Sequence, residues 1–201
     1  MKHPTSRRLH AYWDRLRGER SAPERGEIEP GAIRHLLADS LILELDAVHR
    51  SATIRLGGTR VCAVFGHELR GTSFAALWSS SERADQTWHL VETVATDMAA
   101  LVAGVRGTTA RGDVLDLELL LLPLRHRGRT HVRMLGSLSP HTTPHWIGSR
   151  PLDGIETLSV RVLGGVYATA HRLDPLPVPP AAMEALAVRH GHLTVLPGGR
   201  I

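Results

Sequence analysis

The segment from Arg55 to Phe74 constrains the fold of this chain more than any other stretch of it. In the residues that lead into it, Ala52, Ile54 and Leu56 alternate with polar residues, a period of two that is typical of a half-buried strand. The residues that follow change to a helical pattern and reach two glycines, at positions 66 and 71. A strand that passes directly into a glycine-punctuated helical segment indicates a mixed α+β domain.

The composition supports one ordinary domain with an additional segment. The chain has 201 residues, of which 42% are hydrophobic and only 4% aromatic, so its core must consist mainly of aliphatic side chains. The single cysteine, Cys62, excludes an internal disulfide and fits a reducing compartment. The first residues are polar, and no apolar run approaches the roughly 18 residues of a membrane span. We therefore expect a cytoplasmic protein.

The charge balance raises the question of nucleic-acid binding. The chain carries 24 basic and 20 acidic residues, a formal net charge of +4, and its pI is about 10.1. The arginines are dispersed and interleaved with acids, and Arg125, Arg127 and Arg129 surround Gly128 as in a solvated hairpin turn. A basic nucleic-acid-associated factor therefore remains an alternative, which would require the arginines to converge on one face.

Residues 1–26 are predicted to form an amphipathic helix, from about Ser6 to Gly18, and a charged linker. One apolar stripe at helical spacing lies among arginines, and it consists of Leu9, Tyr12, Trp13 and Leu16. Such a stripe either covers the protein's own domain or forms a dimer or partner interface. The sequence leaves both interpretations open.

Residues 27–140 are predicted to form the main domain. A short helix begins near Pro30, with Ile33, Leu36 and Leu37 facing inward. A long helix extends from about Ser80 to Ala103, with a capping box at Ser79 and Glu82 and a C-cap at Gly104. The predicted strands are 40–46, 51–56, 105–111, 114–124 and 129–139. Two strands, then helices, then three strands predict an α+β fold with an antiparallel sheet.

Residues 141–201 are predicted to form a partly ordered extension rich in proline and histidine. Prolines interrupt every candidate element beyond Pro140. A short strand at residues 158–163 and a weak helix at residues 181–189 are the only elements that we expect there, and the remainder is expected to be a mobile tail.

No constellation in the sequence predicts a catalytic or metal site. The chain lacks a nucleophile elbow, a phosphate-binding loop and a metalloprotease motif. His141 with His145, and His190 with His192, lack the further ligands that zinc requires. His67 is expected to be a solvated residue rather than a haem ligand, and Cys62 a small buried hydrophobe rather than a redox group. We predict no catalytic residue, no metal site and no required cofactor.

Several segments in the same order resemble the bacterial single-domain PAS proteins of the PAS_5 family. The matching pieces are Tyr12-Trp13, residues 55–62, residues 65–71, Phe74 with Leu77-Trp78, residues 121–124, residues 135–138 and residues 144–148. The resemblance covers residues 5 to 165. It implies a PAS-like five-stranded antiparallel sheet with helices on one face, enclosing a small cavity, in addition to the N-terminal amphipathic helix.

The resemblance also implies candidate site residues. By their position we predict as pocket lining Cys62, Phe65, Leu69, Phe74, Trp78, Val91, Leu119 and Met134. Each of them is equally compatible with an ordinary core position. Related domains often dimerise through a leading helix, which favours the interface interpretation of Leu9, Tyr12, Trp13 and Leu16.

The function predicted from these observations is a non-enzymatic sensory and interaction module in bacterial signalling, with a cavity that suits a small apolar ligand. We find no fused kinase, cyclase or DNA-binding effector, so we expect a homodimer that signals to a histidine kinase or another signalling protein. The alternatives are a protein that binds or processes a small molecule in the same cavity, and the nucleic-acid-associated factor described above.

Overall fold

Eight strands form one sheet in the part of the chain that the structure describes. The structure is a computed structural model that describes residues 1–79, 83–126, 129–164, 188–190 and 193–197. The strands lie in the order β2-β1-β5-β4-β3-β6-β8-β7. Their bounds are Ser40–Asp46 for β1, Ser51–Gly57 for β2, Ala100–Thr109 for β3, Val114–His126 for β4, Arg129–Pro140 for β5, Leu152–Leu163 for β6, Val188–His190 for β7 and Leu193–Pro197 for β8. Only the β6–β8 pair is parallel.

Three α-helices accompany the sheet in the described residues. They are α1 at Pro4–Arg17, α2 at Thr59–Phe65 and α3 at Arg83–Asp97, and short 3₁₀ turns occupy Arg25–Glu27, Leu37–Asp39 and Phe74–Leu77. The predicted N-terminal helix and the predicted β1–β2 hairpin are confirmed. No helix among the described residues combines the length and the apolar character that a bilayer crossing needs.

The two glycines of the opening segment bring the chain back onto β2. Gly66 and Gly71 have φ of 73° and 85°, in the left-handed region that glycine enters without steric cost. Gly66 ends α2, and the Gly71 amide then donates to the Ile54 carbonyl at 2.7 Å. The turn therefore closes α2 against the strand that precedes it.

The long helix predicted from Ser80 to Ala103 is wrong at its end. The helix stops at Asp97, Met98 takes a φ of 50°, and residues 100–109 are strand β3. The first four residues of β3 are all buried, because both faces of this strand are covered. A strand of that kind shows no alternation, so its apolar run extended the helical pattern. Gly104, predicted as a C-cap, lies opposite Glu118 in the middle of the strand.

The helix predicted near Pro30 is a succession of tight turns. Its amide groups bond three residues back, as from Leu36 to Ile33 at 2.7 Å and from Asp39 to Leu36 at 3.1 Å. Ile33 and Leu36 are buried as predicted. The 3₁₀-like pattern lets a short segment with few apolar residues reach the sheet.

Helices α2 and α3 lie on one face of the sheet and the N-terminal helix α1 packs on the opposite face, so the predicted arrangement of helices on one face plus an N-terminal helix is confirmed. One core cluster joins α2, α3 and one face of the sheet. The second joins α1 to the opposite face. Strand β4 serves both clusters, since Leu119 and Leu121 belong to the first, and Leu120 and Leu122 to the second.

The region beyond Pro140 adds β6 to the sheet. This strand is longer than the predicted strand 158–163 and pairs antiparallel with β3 along residues 152–163. The five-stranded prediction thus describes residues 40–140 and omits the sixth strand. The predicted helix 181–189 lies mostly outside the described residues, and its last two positions belong to β7.

Candidate functional site

The predicted pocket residues come together in one core cluster between the sheet and helices α2 and α3. The members that are fully part of it are at most 5% exposed, and they are Phe65, Leu69, Phe74, Trp78, Val91, Leu119 and Met134. Cys62 is only half-buried and packs at the edge of this cluster. Their positions on the strands and helices place these side chains on a shared face. Whether they line a ligand site remains a prediction.

Two aromatic side chains fill the centre of this cluster. Phe74 meets Trp78 edge-on, with ring centroids 5.0 Å apart. The Trp78 indole N–H donates to the Thr157 hydroxyl of β6 at 2.9 Å, and the Ser79 amide donates to the Ile155 carbonyl at 3.2 Å. Strand β6 therefore fixes one wall of the predicted pocket.

Phe74 and Val91 also line a groove that is open to solvent, which we call the α3 groove. Its walls are residues 49–52 of the β1–β2 turn, residues 73–75, and Thr87, Trp88 and Val91, and it has a volume of about 170 Å³. Phe74 and Val91 are 0% exposed and form an apolar floor. Arg50 contributes a guanidinium from the turn.

Trp88 places an unused hydrogen-bond donor beside the α3 groove. The side chain is 6% exposed, and its buried indole N–H has no partner among the described residues. A buried indole normally finds an acceptor, because an unpaired buried donor costs about 1–3 kcal/mol. A ligand with a hydrogen-bond acceptor would supply the missing partner.

The predicted interface residues of α1 face the protein's own sheet. Leu9, Tyr12 and Trp13 are 0%, 7% and 3% exposed, Leu16 is half-buried, and all four pack in the second cluster. The Trp13 indole donates to the Pro123 carbonyl of β4 at 2.8 Å. In this arrangement the apolar stripe of α1 covers the protein's own domain, which is one of the two interpretations that the sequence left open. Contact of α1 with a partner remains a prediction, and its exposed side is polar.

A second open groove separates α1 from the turn that follows Pro30, and we call it the α1 groove. Helix α1 contributes Arg8, Ala11, Tyr12 and Arg15, the turn contributes residues 32, 33, 35 and 36, and the volume is about 260 Å³. The lining includes three basic residues and no acid. Sequence analysis identified neither groove, since each depends on two segments that meet only in the fold.

The first turn of α1 covers a set of buried polar residues, which we call the polar seam. Its members are Ser6, Asp39, Glu118, Ser137 and Ser139, none more than 4% exposed. Glu118 accepts the Lys2 and His3 amides at 2.6 and 3.0 Å, and Asp39 accepts Arg60 at 2.6 Å. Oxygens of the other three members and one oxygen of Asp39 find no well-formed hydrogen bond among the described residues. The seam is therefore a polar break in an otherwise apolar contact.

Glu118 of the seam and two histidines of the α1 segment, His3 and His10, have pKa values that favour their unprotonated forms. Burial alone would raise the pKa of the Glu118 carboxyl, but the Lys2 amide, the Ser6 side chain and the His3 amide together outweigh it and hold that pKa below its ordinary value. Burial lowers the pKa of His3, against the attraction of Asp39 and Glu118. Burial also lowers the pKa of His10 on the same helix. Docked α1 thus favours neutral histidines and a charged glutamate.

The expectations for metal and redox chemistry stay predictions, since the structure adds observations but no test. No group of three or more potential metal ligands occurs among the described residues. His67 is exposed, and its Nδ1 lies 2.9 Å from the Phe65 carbonyl. The Cys62 sulfur lies 3.6 Å from the Gly57 carbonyl, and no cation is near it in the described contacts. His192 lies outside the described residues.

One feature of the sequence indicates the polar seam. Glu118 interrupts the apolar residues of β4, and the neighbouring strand presents Ser137 and Ser139 on the same face. A carboxylate within a buried strand indicates a specific partner. Trp88 carried no comparable signal, because an indole within a helical apolar stripe is an ordinary core residue.

A five-stranded antiparallel sheet with helices over one face, as β1 to β5 with α2 and α3 form it, is the arrangement expected of a PAS sensor domain. The sequence model described as a PAS domain, PAS_5, matches residues 1–139. The chain belongs to the PAS_5 family of PAS domains. Domains of this kind are sensory or interaction modules, and as a class they are sensory rather than catalytic.

Solved structures of PAS and LOV domains are similar to this chain. The PAS domain of a LuxR-family transcriptional regulator from Burkholderia thailandensis, in complex with ethanol, has 17% identity and a TM-score of 0.42, over 58% of this chain and all of that one. The LOV protein of Rhodobacter sphaeroides has 16% identity and a TM-score of 0.41, over 54% and 61%. The PAS domain of an HTR-like protein from Haloarcula marismortui has 18% identity and a TM-score of 0.38, over 55% and 89%. No curated protein matches the chain.

Proposed function

We propose that this PAS domain is a cytoplasmic sensor in bacterial signalling that binds a small, mostly apolar molecule and reports to a separate signalling protein. The observation that carries the ligand role is the buried, unpartnered indole N–H of Trp88 at the α3 groove. Its apolar floor, formed by Phe74 and Val91, suits an apolar body, and the indole suits one hydrogen-bond acceptor. The groove volume of about 170 Å³ limits the ligand to a small metabolite.

Binding in the α3 groove would be communicated through the core. Phe74 contacts Trp78, and Trp78 is held by β6, so a ligand that displaces Phe74 changes the packing against the sheet. The recipient would be a partner such as a histidine kinase, with the sensor acting as a homodimer. The residues that line the groove include no carboxylate and no cysteine, which supports sensing over turnover.

The test is native mass spectrometry of the protein purified from its own host, as wild type, Trp88→Phe and Trp146→Phe. Trp146 is 8% exposed and lies outside the α3 groove, so it is a matched control. We expect a bound mass in wild type and in Trp146→Phe and a clearly lower occupancy in Trp88→Phe, since a lost neutral hydrogen bond of about 1.4 kcal/mol weakens the affinity about tenfold.

Either of two results would contradict the proposal. One is a wild-type protein without any bound mass, and the other is equal retention in both tryptophan variants. The same spectra report the oligomeric state, so a monomer at all concentrations would remove the homodimer.

A further inference from the structure

The α1 groove has a preformed apolar floor. Tyr12, Ile33 and Leu36 are 7%, 2% and 3% exposed, and packing in the second core cluster fixes their positions. The Tyr12 hydroxyl accepts the Glu29 amide at 2.9 Å, which ties the helix to the opposite wall. A floor fixed in this way needs no ordering when a partner binds, and binding to it loses little conformational entropy.

Two arginines of the groove have no acidic partner in the part of the chain that the structure describes. Arg8 and Arg15 are exposed, and no salt bridge in that part involves either. The Arg15 guanidinium lies over the Tyr12 ring, 5.6 Å from its centroid. Their neighbours Arg17 and Arg20, by contrast, pair with Asp14 and Glu27. The groove thus keeps its positive charge while nearby arginines do not.

The spacing of these two cations defines what they can bind together. Seven residues separate Arg8 from Arg15, which is two helical turns or roughly 10 Å along the axis. Two carboxylates seven residues apart on a helix have the same separation. Ala11 lies between the two arginines along α1, and Ala32 lines the facing turn. These small side chains leave room for one apolar side chain above the floor.

We propose that the α1 groove docks an acidic amphipathic helix of a partner protein, with two carboxylates on Arg8 and Arg15 and an apolar side chain between them. This inference rests on the proposed role as an interaction module and assigns the surface and the chemistry of the contact. A nucleic acid is less well matched, because it needs a longer row of cations and offers no apolar side chain for the floor. The contact uses the exposed side of α1, while its apolar stripe stays on the sheet.

The experiment uses the full chain and fluorescence anisotropy at about 0.15 M salt, which is close to physiological ionic strength. The probe is a labelled alanine-based peptide of about 15 residues, with glutamates two turns apart and leucine between them. We expect Arg8→Glu and Arg15→Glu each to weaken binding about tenfold. Arg7→Glu, an equal charge change at an exposed position of α1 outside the groove, should weaken it less than about threefold.

A charge exchange makes the assignment specific. The peptide with lysines in place of glutamates should bind the Arg8→Glu/Arg15→Glu protein and not the wild type. The proposal is overturned if the wild type does not bind the glutamate peptide, if Arg7→Glu weakens binding as much as the groove variants, or if a labelled single-stranded oligonucleotide of about 20 bases binds the wild type more tightly than the peptide does. Ligand retention in the Arg8→Glu/Arg15→Glu protein, by native mass spectrometry, reports the α3 groove separately, so its loss is distinguishable from loss of docking.

Discussion

At Gly58 the backbone between β2 and α2 lies against the carbonyl groups of Leu37 and Ala38. A Cβ at this position would overlap both carbonyl oxygens, and the Gly58 amide donates to the Ser40 carbonyl at 2.8 Å. Glycine is therefore required here because the Leu37 and Ala38 carbonyl groups leave no room for a Cβ, and not because of its φ of −64°. The pair Gly57-Gly58 forms the junction between strand β2 and helix α2.

We expect Gly58→Ala to lower the free energy of unfolding by about 2–3 kcal/mol, because backbone rather than a flexible side chain has to move. Urea denaturation checks this. Gly31→Ala is the matched control, since a Cβ there meets no atom within 4 Å, and it should change stability by less than about 1 kcal/mol. A similar loss in both variants would show that the close approach is not the cause.

The packing of helix α1 on the sheet depends on the protonation of the groups at this contact. The groups that face His3 are Asp39, Glu118, His141 and Arg60, and those that face His10 are Asp14 and Arg17. Both histidines have lowered pKa values in the folded state, so the stability that they contribute is full above about pH 6.5 and falls as the pH drops below it. Glu118 also has a lowered pKa, and its contribution is lost on further acidification through its folded value.

Acidification from pH 7.5 to pH 5 is therefore expected to loosen α1 before the sheet. The measurement is amide hydrogen exchange, corrected for the intrinsic rate: protection of residues 5–16 should fall several-fold while protection of β4 is kept. Glu118→Gln should lower the protection of α1 already at neutral pH, and Glu156→Gln, an exposed carboxylate on β6, should not. Equal loss in α1 and β4 would contradict a local release.

Strand β6 lies beyond the edge of the predicted domain and connects to both the sheet and the core. It covers β3 over ten residue pairs from Ala100 to Thr109 and accepts the Trp78 indole through Thr157. The predicted boundary at residue 140 would separate this strand from the sheet. A PAS core cut there has an unpaired long edge, which promotes association through strand addition.

We expect a chain of residues 1–150 to self-associate or aggregate, and a chain of residues 1–164 to keep the association state of the full protein. Light scattering after gel filtration measures the mass, and tryptophan fluorescence reports the release of Trp78. A well-behaved 1–150 chain with native fluorescence would show that β6 is dispensable and that the boundary at residue 140 is correct.

Much of the fold followed from local periodicity. The alternation in residues 40–57 and the helical spacing of Leu9, Tyr12 and Trp13 each identify a buried face directly. The same reasoning failed at residues 98–103, because a strand buried on both faces carries no period of two. For the site, it grouped core residues such as Phe74 and Val91 correctly but located neither groove, since the walls of each come from segments distant in sequence.

The sequence by itself determined the PAS family, the order of the elements and which side chains turn away from water, because these depend on local pattern. The tertiary structure decided what each buried face meets. The stripe of α1 could cover a partner or its own sheet with the same apolar chemistry, and only the fold sets it on β4. That choice leaves Arg8 and Arg15 facing outward, and it brings Trp88 to the β1–β2 turn with its indole N–H unpaired among the described residues.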